Sequence, residues 1–400
     1  MNAVLPHLGV AKDELRTLTN AIPTTTAALS SVRSTLGHGT TDTKRVVILF
    51  QNTDEQRTMG GFPGSYALIE ASNGTVTNFT INTNIYKLDR IFERQNSERP
   101  SPALQTITPW LGFRDSTVDC WFLEDCSKRV LSYFAALTGT PAETVMYINS
   151  TVLEDLLTLI GSVTLPTTSG AKEISSTTVS STLTEEIEQN YFTSTENITE
   201  NEPKAVLADL LPITMQAVSE RGKATALPAF LFEQLQKNAI KLWSANSDLQ
   251  RHLAVIQPAS TVDSNNPNWY QLFGNNIGGM KSSRNVQENA THSSRKILGT
   301  TRTEHTLTIT RTHMGTGEWP DSINRHHIRL LIPGNARVTL LPQGSGGEYQ
   351  YPEWQLREAG LEPADQSPTS YSTELGTAIS FWASVSPGET RTFIIRWETD

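Results

Sequence analysis

At 400 residues the chain is too long for one hydrophobic core, and two domains are the natural expectation. Hydrophobic residues make up 37% and charged residues 18%, which excludes a disordered polyelectrolyte. The formal net charge is −9, from 32 basic and 41 acidic residues, and neither half of the chain is basic. A nucleic-acid partner is therefore not expected, and an anionic ligand would need a local arginine cluster.

Residues 7–36 carry apolar positions at helical spacing, including Leu8, Leu15, Leu18, Ile22, Leu29 and Val32, with Pro23 as a break or kink. The N-terminus lacks the positive region and apolar run of a signal peptide, and no stretch of 18 apolar residues follows. Met1-Asn2-Ala3 is read as a start just beyond a removed membrane anchor. Arg45–Phe50 is a continuous apolar run, as in a strand buried on both faces. Gln51–Pro63 is a polar loop. Ser65–Ala71 and Val76–Ile81 are strands joined at Asn73-Gly74 into a hairpin.

Residues 92–113, with three prolines, read as loop. Trp121–Leu137 is a helix, Thr144–Ile148 a strand, Ser150–Ile160 a helix stopped by Gly161, and Val163–Leu165 the start of a strand. Between Glu173 and Glu202 lie seven acidic residues and no basic one, and this segment reads as mobile and solvated with a short helix near Thr184–Tyr191. Helices are expected at Pro203–Ser219 and Leu227–Lys241, and strands near Leu242–Trp243 and Leu253–Ile256. After Pro267 the pattern becomes β-rich, at Val286–Leu298, Glu304–Thr312, His326–Leu331, Ala336–Leu341, Ala378–Val385 and Thr390–Trp397. Short strands with turn signals and no convincing helix point to a β-sandwich. The expected units are an N-terminal helical segment (1–40), an α/β domain (41–265) and a β-sandwich-like domain (266–400).

Chemistry is most plausible at Phe50–Phe62, where a buried strand feeds a polar loop. Ligands of α/β folds sit at the carboxyl ends of strands. Gly60-Gly61 would let the backbone approach a ligand, with Asn52 and Glu55 in the same loop, and Arg57 would fork onto a phosphate or carboxylate. Equally, Gly-Gly makes a tight turn and Arg57 pairs with Glu55 or Asp54. Neither a phosphate-binding G-K-[ST] loop, a dinucleotide fingerprint nor a G-x-S-x-G elbow is present. His326 and His327, adjacent on a strand, point to opposite faces and do not share a metal easily. The scattered tryptophans stack sugars or, more commonly, fill cores. Two cysteines are too few for a thiolate zinc site; Cys120 and Cys126 either form a local disulfide, as an oxidising compartment allows, or stay reduced.

Phe50–Phe62, with Gly64-Ser65-Tyr66-Ala67-Leu68-Ile69, resembles an uncharacterised bacterial domain-of-unknown-function family that is itself similar to the LytR-CpsA-Psr phosphotransferases of the cell envelope. Asn84–Asp89, Phe113-Arg114-Asp115-Ser116, Val145–Asn149 with Leu156–Leu165, and Asn275–Lys281 extend the resemblance over nearly the whole chain. It implies an extracytoplasmic, membrane-anchored envelope protein with a three-layer α/β/α core. It also implies a phosphorylated polyprenyl or polyprenyl-linked glycan as ligand, with Arg57, Arg90 and Arg114 on phosphate and Asp89 and Asp115 on magnesium. The phosphotransferases carry a late arginine pair that this chain lacks before Pro203–Ser219. That departure leaves two readings: a glycan phosphotransferase, or a fold without the chemistry that serves as a structural or adhesive module through protein contacts.

Overall fold

The computed structural model describes residues 33–96, 98–193, 204–257, 268–347 and 352–400, with residues 27, 30, 31, 195, 197, 202 and 350 besides. Most of the expected N-terminal helices, including Pro23, and the expected domain boundary at 258–267 lie outside the described residues.

The first domain is built on a five-stranded sheet of order β3-β2-β1-β4-β7. β1 (Lys44–Asn52) is central, antiparallel to β2 (Phe62–Ser72) and parallel to β4 (Thr144–Asn149). β3 (Thr75–Asn82) and β7 (Ile240–Ser244) complete the edges, both antiparallel. The expected hairpin is present: Asn73 and Gly74 both take positive φ (48° and 81°), the requirement of a two-residue type I′ turn.

Alternation along the strands sends side chains to two different layers. Val47, Leu49, Tyr66, Val145 and Tyr147 pack under α1 (Ile85–Gln95) and α2 (Leu123–Thr138). On the opposite face Met146 and Ile148 meet Val152 of α3 (Thr151–Ile160) and Phe230 of a later helix, Leu227–Gln236. The core is thus α/β/α. Between its helices, β5 (Val163–Thr167) and β6 (Gly170–Ile174) form a separate hairpin, followed by α4 (Val179–Glu188). α5 is Val206–Glu220, the helix bearing Phe230 is α6, and α7 spans Ser247–Ile256.

Several expectations are corrected. Leu253–Ile256 is the end of helix α7, not a strand. Asn246 caps it by accepting from the Asp248 and Leu249 amides, and Leu249, Leu253 and Ile256 recur at helical spacing on its buried side. The stretch 85–95, partly read as loop, is α1; a buried aspartate among Ile85, Leu88 and Phe92 interrupts its apolar stripe. The acidic segment is not a solvated tether between 173 and 193. Glu186 is buried there and accepts from the Thr168 amide at 2.5 Å.

The second domain stacks two four-stranded antiparallel sheets. One has the order β12 (Arg337–Leu340), β15 (Thr390–Thr399), β10 (Thr303–His313), β9 (Val286–Lys296). The other runs β13 (Thr369–Thr373), β14 (Gly376–Trp382), β11 (His326–Ile332), β8 (Gln271–Asn276). Leu307, Ile309, Ile328, Leu330, Phe381, Phe393, Ile395 and Trp397 fill the space between them. β8 and β13 were not anticipated, nor was α8 (Glu353–Glu358). No helix among the described residues is long and apolar enough to cross a membrane.

Cys120 and Cys126 are joined in a disulfide with Cα atoms 5.0 Å apart, at the start of α2. Both are buried, and the Cys120 carbonyl accepts from Arg329 of the second domain. Replacing both by serine is expected to cost about 2 kcal/mol, given the short loop closed, and chemical denaturation of the oxidised protein and the variant measures it.

Candidate functional site

The polar loop after β1 lies at the junction of the two domains rather than in open solvent. Its carboxylates are claimed by cations from the second domain. Glu55 pairs with Lys281 at 2.9 Å, and Asp54 with Arg284 at 2.9 Å, whose other arm reaches Glu154 of α3 at 2.7 Å. Asn52 is spent locally, accepting from the Asp54 amide. Arg57 pairs with neither acid. It is 5% exposed, donates to the Gln56 and Asn276 carbonyls, and leaves Nε without a partner among the described residues. Burial pushes its guanidinium below its ordinary value against the pull of Glu55 and Asp115.

Gly60 and Gly61 do permit a close approach, but of the chain to itself. A Cβ on Gly61 would sit 2.1 Å from the Asn52 carbonyl oxygen, and one on Gly60 would sit 2.2 Å from Asn149 Oδ1. The tight-turn reading of this pair is the one the structure supports.

Asp89 and Arg114 are paired with each other. Asp89 is fully buried; Oδ1 accepts from the Phe113 amide at 2.6 Å, and Oδ2 from the Arg114 amide and from Arg114 Nη1 at 2.8 Å. Gly112 leaves the room: a Cβ there would meet Asp89 Oδ2 at 2.8 Å. Burial pushes the Asp89 carboxyl up to about 6, with Arg114 opposing. Asp115, also buried, is 3.6 Å from Arg114 Nε and is likewise raised by burial. Arg90, one residue on from Asp89, lies on the exposed side of α1, away from this group.

For magnesium the donor set is a poor match. Asp89 has both oxygens directed at N–H donors, and no group of three or more acidic, histidine or cysteine side chains among the described residues is arranged around a cation.

What the sequence did not reveal is a pair of stacked rings with cations on them. Phe62, at the start of β2, and Tyr86, on α1, stand 6.2 Å apart and nearly parallel. Arg57 lies 5.5 Å from the Phe62 ring and Arg114 5.5 Å from the Tyr86 ring. Lys204, just before α5, approaches both, at 5.7 and 5.2 Å. Its ammonium donates to the Gly64 carbonyl at 3.1 Å, and no carboxylate among the described residues pairs with it directly. A Cβ on Gly64 would fall 2.4 Å from Lys204 Nζ, so the glycine makes space for the lysine. Burial lowers the ammonium to about 8, although Glu55 pulls the other way and Lys281 adds to the fall. Lys281 is held above its ordinary value: burial would lower it, yet Glu55 and Glu188 together prevail. Burial and Glu55 push the Tyr86 phenol up to about 12.

The result is four cations, Arg57, Arg114, Lys204 and Lys281, around two aromatic rings where the domains meet. Arg114 and Lys281 are paired with carboxylates, whereas Arg57 donates only to carbonyls. Among the described residues neither Arg57 nor Lys204 has a carboxylate partner; Arg57 is enclosed at the domain junction, whereas Lys204 reaches both rings. The only hint of it in the sequence is that it is the first basic residue after the acidic run.

No curated protein matches the chain. Among solved structures it is similar to protein gbs0355 from Streptococcus agalactiae, with 11% identity, 54% of this chain and 73% of that one covered, and a TM-score of 0.34. It is similar also to TagV of B. subtilis (12% identity, 53% and 78% covered, TM-score 0.27) and to TagT of B. subtilis (10%, 55% and 76%, 0.26). The resemblance to an uncharacterised family read from the β1 loop and the segments after it is met by a family match: residues 41–187 are similar to the family described as Protein of unknown function (DUF4012).

Proposed function

We propose that the protein is an extracytoplasmic cell-envelope protein that binds a phosphorylated polyprenyl or glycan ligand at the ring pair, with Lys204 and Arg114 as its phosphate contacts. The observation that carries this reading is the desolvated Lys204 ammonium, which shares the Tyr86 ring with Arg114 and has no carboxylate partner among the described residues. A desolvated cation held only by a carbonyl is costly, and an anion placed against it recovers that cost through charge-assisted hydrogen bonds. Phe62 and Tyr86 supply apolar surface beside the charge, as a lipid phosphate needs. Arg57 is better assigned to the domain junction, because its bond to the Asn276 carbonyl would be lost with any truncation. The chemistry claimed is binding; the residues present do not define a transfer step.

Flotation with liposomes containing polyprenyl phosphate, with and without magnesium, tests the proposal, with glucose 1-phosphate as the soluble arm. Saturable binding that collapses in Lys204→Ala supports it, and competition by the sugar phosphate separates a headgroup site from a lipid-dependent one. Equal binding to liposomes lacking polyprenyl phosphate, or binding unchanged in Lys204→Ala, would overturn it.

Binding should also depend on pH in a stated direction. Lys204 faces Glu55, Glu188 and Lys281, and its ammonium titrates near 8 instead of above 10. Phosphate affinity is expected to fall as pH rises through about 8. Because the lowered lysine is easier to carry neutral, the unliganded fold gains stability from it over the same rise, the opposite sign. In Lys204→Arg, which stays charged, the affinity profile should be flat between pH 7 and 9.

A further inference from the structure

A second cavity, of about 530 Å³, lies between the two domains and shares no lining residue with the ring-pair site. Its floor is the outer face of the β13-β14-β11 sheet. Strand alternation sends Ile328, Leu330, Ile379 and Phe381 into the sandwich core and turns the opposite set toward the first domain. That outward set is mixed: Leu331 and Ala378 pack with Phe273, Trp121 and Phe122, and the rest is largely polar. Register places Thr369, Ser380 and Arg329 in one row across three strands, with Tyr371 to one side and Trp382 to the other. The first domain contributes Asp119, Trp121 and Arg129 as the facing wall.

Two buried guanidinium nitrogens at this cavity have no partner among the described residues, Arg329 Nε and Arg129 Nη1. The remainder of each group is held firmly. Arg329 Nη2 donates to the Val118 and Cys120 carbonyls at 2.7 and 2.5 Å, with its plane 4.3 Å from the Trp121 ring centre, and Arg129 Nη2 pairs with Glu98 at 2.8 Å. Both nitrogens have essentially no accessible surface, so a guest meets the rest of the lining, its hydroxyls, carboxylates, outer guanidinium edges and rings. The lining charges balance: Glu98, Asp119 and Asp365 against Arg99, Arg129 and Arg329. A phosphate would meet three carboxylates, and an apolar guest would desolvate those carboxylates and the Thr369 hydroxyl without giving them a partner.

We propose that this cavity binds one uncharged pyranose unit of a glycan. Such a ring offers hydroxyl donors and acceptors to the Thr369–Ser380–Arg329 row, to Arg129 and to Asp119. Its C–H faces suit the aromatic rings, above all that of Tyr371, which is 42% exposed on the edge strand. The volume lies in the ordinary range for small-ligand sites.

The test is saturation-transfer NMR on the intact chain with glucose, N-acetylglucosamine and glucuronate as probes and sorbitol as the open-chain control. Transfer to the ring protons of a neutral sugar is expected, with affinity lowered about tenfold in Tyr371→Ala and in Asp119→Asn and unchanged in Lys204→Ala. Tyr371 is half-exposed and Asp119 lies at the wall, so both variants should fold, whereas truncation of Arg329 would remove its bonds to the first domain. No transfer to any pyranose at millimolar concentration would show a merely water-filled cavity and overturn the proposal. So would transfer equal to that of sorbitol, transfer unaffected in both variants, or binding of glucuronate alone.

Discussion

Arg114→Ala is expected to destabilise the protein by about 3 kcal/mol at pH 7, because it strips the counter-charge from a carboxylate that is fully buried. The two amide donors to Asp89 remain, so the group stays fixed in place while its desolvation goes uncompensated. The sign of the pH dependence follows from the raised carboxyl. Asp89 already protonates near 6 when Arg114 is present, and nearer neutrality once it is gone. A neutral carboxyl needs no cation, so the deficit relative to wild type should shrink as pH falls from 7 towards 5. Urea denaturation at both pH values measures it, and Asp89→Asn in the Arg114→Ala background should restore part of the loss at pH 7. An equal deficit at both pH values would mean that Arg114 acts through packing rather than charge.

Gly61→Ala should be of similar size, about 3 kcal/mol, for a different reason. The methyl would lie 2.1 Å from the Asn52 carbonyl oxygen and 2.7 Å from the Thr53 amide nitrogen, both backbone atoms next to the end of the central strand. Neither can step aside as a side chain can, so the loop must move. At Gly64 the obstacle is only the tip of Lys204, and Gly64→Ala should cost less stability but displace the ammonium from the ring pair. Thermal melts of the two alanine variants, read beside phosphate binding, distinguish a structural glycine from one that makes room for a functional group.

These contrasts show what was legible in the sequence. β1 and the hairpin after it were, since a continuous apolar run and Asn73-Gly74 are local signals of local structure. Helix α1 was not, because Asp89 occupies its inward stripe and its partner Arg114 lies 25 residues on. Helix α7 was taken for a strand because Leu253–Ile256 is short and apolar, and its periodicity emerges only with Leu249. In the candidate site, Asp89 and Arg114 were singled out for separate roles, metal and phosphate, and not as partners of each other, and the reading of Glu55 as a partner for Arg57 gave way to Lys281, 226 residues away. Lys204 was invisible for the same reason: its setting is made by Gly64, 140 residues earlier, and by rings on β2 and α1. Pairings that distant leave no periodic trace.

The ion pairs Lys281–Glu55 and Arg284–Asp54, with Arg329 reaching the Val118 and Cys120 carbonyls, have an outcome for how the molecule comes apart. Each is a charged group of one domain whose solvation is supplied by the other. If either domain melted first, the other would lose these bonds together with the packing of Trp121 and Phe122 on Phe273, so each is less stable without its neighbour. Calorimetry should therefore record one endotherm in place of two, with the van't Hoff and calorimetric enthalpies in agreement. Two hydrophobic cores would then behave as one cooperative unit, held in step by the same carboxylates that border the ring pair.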